Sequence, residues 1–301
     1  MNAVKTTFSI KDLENLVGVK AHTIRIWEKR YNLLKPDRTP TNIRVYSLGD
    51  LQKLLNVTYL LKNDYKISKI AEHDATAIAA LVGRLVKNRK KPENYQAINS
   101  FKISMMNFDS QLFATTYKRL EQEYCFKDIF CSVFIPLLEE IGLLWQTNTI
   151  DPSHEHFVAN LIKQKILLKI EEYQYNHPVK KEITFVLFLP ENEIHDLGLL
   201  FLNYEIVRHG FKCIYLGQSI MLANLKYLML NQKNVNFAAY LTVKPDSMSV
   251  VEYANLFNRE LCSSEVPFYI FGQKAQTAQK NGLPKNVKLV KSIDNFIAQF
   301  T

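Results

Sequence analysis

The stretch ITFVLFLPENEIHDLG, Ile183 to Gly198, decides how the last third of the chain is read. Its opening run, Ile183–Leu189, is almost wholly apolar and rich in β-branched and aromatic residues, as a strand buried on both faces requires. A turn follows, and an amphipathic helix begins near Leu197. The same succession recurs. Apolar runs at 183–190, 211–217, 237–243 and 268–272, with a weaker one at Val287–Val290, are separated by amphipathic segments at 197–209, 222–232 and 248–262. Strands alternating with helices predict a doubly wound, flavodoxin-like sheet of five parallel strands, with helices on both faces. Ligands of such sheets sit past the carboxyl ends of the strands, and there the first loop carries one histidine, His195, between two acids. The loop by itself leaves two readings open, a metal ligand or an ordinary loop residue.

Working towards the N-terminus, residues 97–175 have helical periodicity with one glycine, Gly142, and few strand formers. Three or four helices in a bundle are expected. The charged, proline-broken VKNRKKPENYQ before them, residues 86–96, reads as a linker. Inside the bundle, WQTNTIDPSHEHFVANLIKQKI (Trp145–Ile166) starts a helix at Asp151-Pro152 and brings His154, Glu155 and His156 into its first turns. Histidines two residues apart on a helix diverge, so a zinc pair on this helix is not expected, and no HExxH is present.

The first module is different again. FSIKDLENLVGVKAHTIRIWEKRYNLL (Phe8–Leu34) reads as two short helices about a tight turn: Ser9 is an N-cap with Asp12 in capping-box position, and Gly18 stops the first helix. The second helix, Ala21 to Arg30, turns Ile24 and Trp27 inward and His22, Thr23, Arg25, Lys29 and Arg30 outward. KPDRTPTNIRVYS then fits a hairpin wing whose Arg38, Asn42 and Arg44 reach phosphates, and a helix from Leu48 to Lys62 closes the module. This stretch resembles the DNA-binding domain of MerR-family transcription regulators through TIRIWEKRYNLLKPDRT and IRVYSLGDLQKL. The resemblance implies DNA contacts from Arg25, Arg30, Tyr31, Arg38 and Arg44, and gives Tyr46 the position that buttresses the wing. Together with His22, Thr23, Lys29 and Asn42 these residues form the expected operator surface.

Two further motifs extend the resemblance. Trp145, nine intervening residues, then Glu155-His156 resembles the helical cap of MerR-type regulators that carry a cobalamin-binding module, known among light-responsive repressors of carotenoid genes. EIHDLG resembles the signature Asp/Glu-x-His-x-x-Gly of that module. By implication His195 coordinates cobalt from below while Glu193 holds its other nitrogen. Gly198 permits close approach of helix and loop, and Trp145, Glu155 and His156 cover the adenosyl side. The cofactor implied is cobalamin, adenosylcobalamin first. The displaced base of that cofactor enters a slot to which Thr242-Val243-Lys244 and, after 26 intervening residues, Phe271-Gly272 correspond. Lys244 and Phe271 depart from the pattern, since a phenyl ring fills space that glycine leaves open. Gln146 stands where light-sensing members often carry a histidine that captures cobalt after photolysis, so that route is not expected here.

Bulk properties agree with this division. The 301 residues carry a net charge of +9, and the first 100 hold 18 Lys+Arg against 9 Asp+Glu, so the surplus sits in the first third of the chain. No apolar run is long enough to cross a bilayer. Lys5, Lys11 and Asp12 interrupt the N-terminal stretch, so no cleavable leader is expected. Four cysteines without CxxC spacing suggest neither disulfides nor zinc, and a cytoplasmic location. The expected whole is mainly α followed by α/β: a winged helix-turn-helix over 1–78, a linker and helical-bundle cap over 79–178, and the doubly wound sheet over 179–301. Such a chain reads as a transcription regulator, not an enzyme. It would bind double-stranded operator DNA as a homo-oligomer, dimer or tetramer, because one module offers too few contacts for specific affinity. A regulator whose relic module takes a protein or another ligand is the first alternative. A corrinoid-carrying methyltransferase subunit is the second.

Overall fold

The computed structural model describes residues 7–87, 94–147, 149–176, 181–279 and 281–301. Most of the segment read as a linker, 88–93, lies outside them. The chain forms two compact units, 1–161 and 162–301.

In the first unit, β1 (Thr7–Phe8) leads to α1 (Ile10–Val17) and α2 (Ala21–Tyr31). Ser9 and Asp12 make the reciprocal capping box, and Gly18 takes the left-handed conformation (φ 73°) that ends α1 and accounts for the turn. The wing is β2 (Asp37–Arg38) and β3 (Arg44–Ser47), with β3 in the centre of a small antiparallel sheet of order β1-β3-β2. Helix α3 (Leu48–Lys62) begins at a second capping box, Ser47 with Asp50, and buries Leu51, Leu54, Leu55 and Tyr59. Then come α4 (Ile67–Ile70) and α5 (Ala75–Lys87).

Helices α6 (Asn94–Asn107), α7 (Ser110–Glu121), α8 (Phe126–Ile129) and α9 (Ile135–Gln146) continue the unit, with α10 (Pro152–Asn176) beginning in it. A π-helical turn, Phe130–Phe134, joins α8 to α9 just before Pro136, which has no N–H to give to a regular turn. An aromatic cluster holds the bundle: Phe101 lies 4.6 Å from Phe113 and 5.5 Å from Phe134, ring centre to ring centre. The helix-turn-helix meets the bundle through Asn15 on α1, whose Nδ2 donates to Thr149 Oγ1 at 2.8 Å.

The second unit is the doubly wound sheet. Its strands are β4 (Lys181–Pro190), β5 (Phe211–Ile220), β6 (Val235–Tyr240), β7 (Phe268–Phe271) and β8 (Val287–Leu289), all parallel, in the order β5-β4-β6-β7-β8. The order reverses between β4 and β6, and there the carboxyl ends of neighbouring strands open a crevice. Between them run α11 (Leu197–Arg208), α12 (Lys226–Asn231), α13 (Val250–Leu261) and α14 (Gln273–Thr277), with α15 (Ile293–Ile297) last. One face of the sheet packs Leu199, Leu202 and Ile206 of α11 with Phe296; the other packs Leu225, Tyr253, Phe257 and Leu261. Strand β5 runs three residues further than its apolar pattern. A register shift between the Leu187–Tyr215 and Phe188–Gly217 pairs, with Gly217 at φ 83°, lets the bulged strand continue to Ile220.

Candidate cofactor and nucleic-acid sites

Helix α2 and the wing form one exposed basic surface. His22, Arg25, Lys29, Arg30, Arg38 and Asn42 are exposed, while Thr23 and Tyr31 are half-buried. Arg30 lies over the Tyr31 ring at 5.4 Å, and Arg38 Nη1 donates to Asn42 Oδ1 at 2.6 Å across the wing turn. Two residues of the expected surface are placed otherwise. Tyr46 is 0% exposed and cannot meet a nucleic acid. Its hydroxyl donates to Glu28 Oε2 (3.0 Å), and Arg44 Nε donates to Glu28 Oε1 (2.9 Å), so Arg44, half-buried, is paired within the domain. Glu28 is the residue that sequence reasoning missed: it ties the second helix to the wing from 16 and 18 residues away, a pairing with no local signal. Exposed Ile26 and Ile43, on α2 and at the wing tip, add apolar points to the basic surface.

In the bundle, Trp145 is 52% exposed near the end of α9. On α10 His156 is exposed and Glu155 half-buried, whereas His154 is buried against the Phe108 ring at 4.7 Å. The two histidines therefore diverge as their spacing predicts. The side chain of Gln146 lies outside the described residues.

In the second unit, β4 ends at Pro190 and its loop delivers His195 to the carboxyl edge of the sheet, exposed. Glu193, 1% exposed, organises that loop. Its Oε1 accepts from the Ile194 and His195 backbone N–H groups (2.9 and 3.0 Å) and lies 2.5 Å from His195 Nδ1. Its Oε2 accepts from the backbone N–H groups of Val243 and Lys244, just past β6, at 2.7 and 2.8 Å. Burial works to raise the Glu193 carboxyl, but the hydrogen bonds from Lys244, His195 and Val243 outweigh it and hold it at about 2. Gln218 Nε2, from the extended end of β5, donates to Ile194 O (2.8 Å) and Asp196 Oδ2 (3.0 Å), and Lys163 pairs with Asp196. These supports, Gln218 and Asp196 among them, carried no signature in the sequence. The result is an imidazole fixed through Nδ1 with Nε2 left to take a ligand from solvent.

No group of three or more His, Cys, Asp or Glu able to hold a metal ion occurs among the described residues. Ile194, Val243 and Met221 are exposed apolar residues at the same strand edge as His195.

The remaining expected positions fit less well. Gly198 does permit a close approach, though to a side chain: a Cβ there would come within 2.4 Å of Tyr240 Cζ. Tyr240 stacks on Phe271 (6.4 Å, 8°), so the phenyl ring that departs from the pattern is engaged by a neighbouring aromatic side chain. Thr242 is half-buried. Gly272, at φ 94°, is dictated by backbone, since a Cβ would meet Leu241 O at 2.5 Å.

Comparison with known proteins agrees with this division of labour. Residues 8–75 match the MerR HTH family regulatory proteins, and residues 97–168 match the B12 binding domain. The chain thus carries a MerR-type helix-turn-helix segment followed by a segment that matches the B12 binding domain. It is homologous to two Myxococcus xanthus proteins: the HTH-type transcriptional repressor CarH, 24% identical over 91% of this chain and 91% of its own length, and the repressor CarA, 23% identical over 73% and 71%. In fold it is similar to the monomethylamine corrinoid protein of Methanosarcina barkeri, with a TM-score of 0.50, 14% identity, and coverage of 60% of this chain and 86% of that one. The relatives that span most of the chain are repressors, not enzymes. No described helix is long and apolar enough to cross a membrane.

Proposed function

We propose that this regulator binds operator DNA through α2 and the wing and responds to a cobalamin held at His195. The observation that carries the reading is the grip of Glu193 on His195. A buried carboxylate that accepts four backbone N–H groups and the ring Nδ1–H presents Nε2 outward from a rigid loop, which is how a protein readies a neutral imidazole for a metal. A bound cofactor would supply the cobalt chemistry; on the chain's side His195 would hold it through Nε2, with exposed Ile194, Val243 and Met221 as apolar neighbours. Trp145, Glu155 and His156 are further residues we assign to the cofactor, from their motif alone, with adenosylcobalamin as the first form to test.

On the DNA side, His22, Thr23, Arg25, Lys29, Arg30, Tyr31, Arg38 and Asn42 are assigned to contact, and Arg44 and Tyr46 to hold the wing. One module makes few base contacts, so a homo-oligomer is needed for specific affinity. Cofactor binding shifts the DNA-bound population only if it favours one assembly over another. The test is direct. Purified protein is incubated in the dark with adenosylcobalamin or methylcobalamin, desalted, and its absorption recorded with and without operator-containing DNA. Retained corrinoid with a histidine-ligated, base-off spectrum supports the reading, and colourless protein with unaltered DNA protection rejects its ligand half.

A further inference from the structure

Two isoleucines on α2 have opposite surroundings. Ile24 is 0% exposed and belongs to the core of the first unit, whereas Ile26, two residues on and so about 200° around the helix, is 51% exposed. His22, Arg25, Lys29 and Arg30 stand around Ile26 on the helix, and all four are exposed. One apolar, β-branched side chain therefore occupies the middle of a basic face. Folding gives no reason for it, because an isoleucine left half in water gains little from burial and gives up χ1 freedom on a helix. Among the described residues His22, Arg25 and Lys29 enter no ion pair, so their charges remain for an outside partner. The face is also held still: Glu28 accepts from Arg44 and Tyr46 of β3, which fixes α2 to the wing.

We propose that Ile26 is a base-reading residue of this regulator, and that it reads the C5-methyl group of a thymine in the major groove. The inference rests on the assignment of α2 and the wing to operator DNA. The cations around Ile26 suit phosphates, which are alike at every base pair and carry no sequence information. Base-pair edges offer donors and acceptors to polar side chains, and the thymine methyl is the apolar group that the major groove displays. An isoleucine cannot hydrogen-bond, so the methyl is the feature it distinguishes, and their contact takes apolar surface from water on both sides. Ile43, the second exposed isoleucine, supplies the contrast. It is 60% exposed at the wing tip, where its carbonyl accepts from the Thr39 N–H at 2.9 Å and its own N–H donates to Thr39 Oγ1 at 3.0 Å. A wing beside a helix seated in the major groove meets the backbone or the minor groove, and neither displays that methyl.

The experiment selects duplexes from a random library with the full chain, then replaces each thymine of the selected site by uracil, which deletes the methyl group alone. Affinities are measured for the parent, Ile26→Ala, Ile26→Val and Ile43→Ala over a range of salt concentrations. Uracil at the contacted position should weaken the parent about fourfold, as the loss of one buried methyl predicts. At that position Ile26→Ala should bind thymine and uracil duplexes equally, Ile26→Val should keep part of the difference, and Ile43→Ala should discriminate as the parent does. The salt slope of Ile26→Ala should match the parent's, since no phosphate contact is lost. A parent indifferent to uracil at every position overturns the assignment, and so does a uracil effect that is undiminished in Ile26→Ala. Should Ile26→Ala fail to fold, the uracil scan of the parent and of Ile26→Val decides. A library that yields no site defeats the assignment of α2 and the wing to DNA, and this inference with it.

Discussion

Glu193 Oε1 lies 2.5 Å from His195 Nδ1, and this contact decides which nitrogen of the ring is available. A carboxylate accepts and cannot donate, so Nδ1 is the donor in this contact and Nε2 is the nitrogen not engaged by Glu193. The four backbone N–H groups on the same carboxylate keep it ionised and stationary, so the ring inherits a direction from the main chain of two loops.

Replacing the ring removes the donor without touching the fold. His195 is exposed, so His195→Ala should change stability by no more than about 0.5 kcal/mol while abolishing retention of corrinoid. Desalting followed by absorption spectroscopy, with thermal unfolding alongside, checks both halves.

Glu193→Gln should behave in the opposite manner. An amide nitrogen facing backbone N–H groups leaves buried donors unmatched, and a cost of about 2–3 kcal/mol follows. The pH dependence has a definite sign. The folded-state pKa of Glu193, about 2, lies below the ordinary 4.5, so its stabilising contribution is complete above pH 4.5 and is lost as the pH falls through about 2. Denaturant titrations of parent and Glu193→Gln between pH 6 and pH 2 should therefore converge towards the acid end.

On the proposed DNA surface, Arg25→Ala and Arg30→Ala should each weaken binding and lower the slope of log affinity against log salt by about 0.9. Arg44→Ala should leave that slope unchanged, because its guanidinium is already paired with Glu28. Titrations at three or more salt concentrations separate the two cases.

Glu28→Ala tests the wing. It strands the Tyr46 hydroxyl and the Arg44 guanidinium together, for an expected loss of about 2–4 kcal/mol in the first unit. Tyr46→Phe, which keeps the buried ring, should lose only about 1 kcal/mol. Calorimetry on the full chain gives both values.

Much of this architecture could be read from the residues because its signals are local. The Ser9–Asp12 capping box, the left-handed Gly18, the run of buried strands and the position of His195 past the first of them all depend on neighbours within a turn or a strand. The divergence of His154 from His156 follows from helix geometry alone. What stayed hidden depends on chain returning from a distance. Glu28 meets Arg44 and Tyr46 only after the wing folds back, and Gln218 reaches the His195 loop only because β5 bulges at Gly217. Phe271 was legible as a misfit in the slot, yet its partner Tyr240 was not, since stacking across β6 and β7 leaves no mark in either strand.

The Lys244 position shows how a departure from pattern can be harmless. What Glu193 receives from residues 243 and 244 is two main-chain N–H groups, and nineteen of the twenty amino acids supply one. Side chains at these two positions are thus free to drift with respect to the histidine clamp, and proline alone is forbidden. A randomised library at 243 and 244, selected for folded protein, should return almost any residue pair and lack proline at either place.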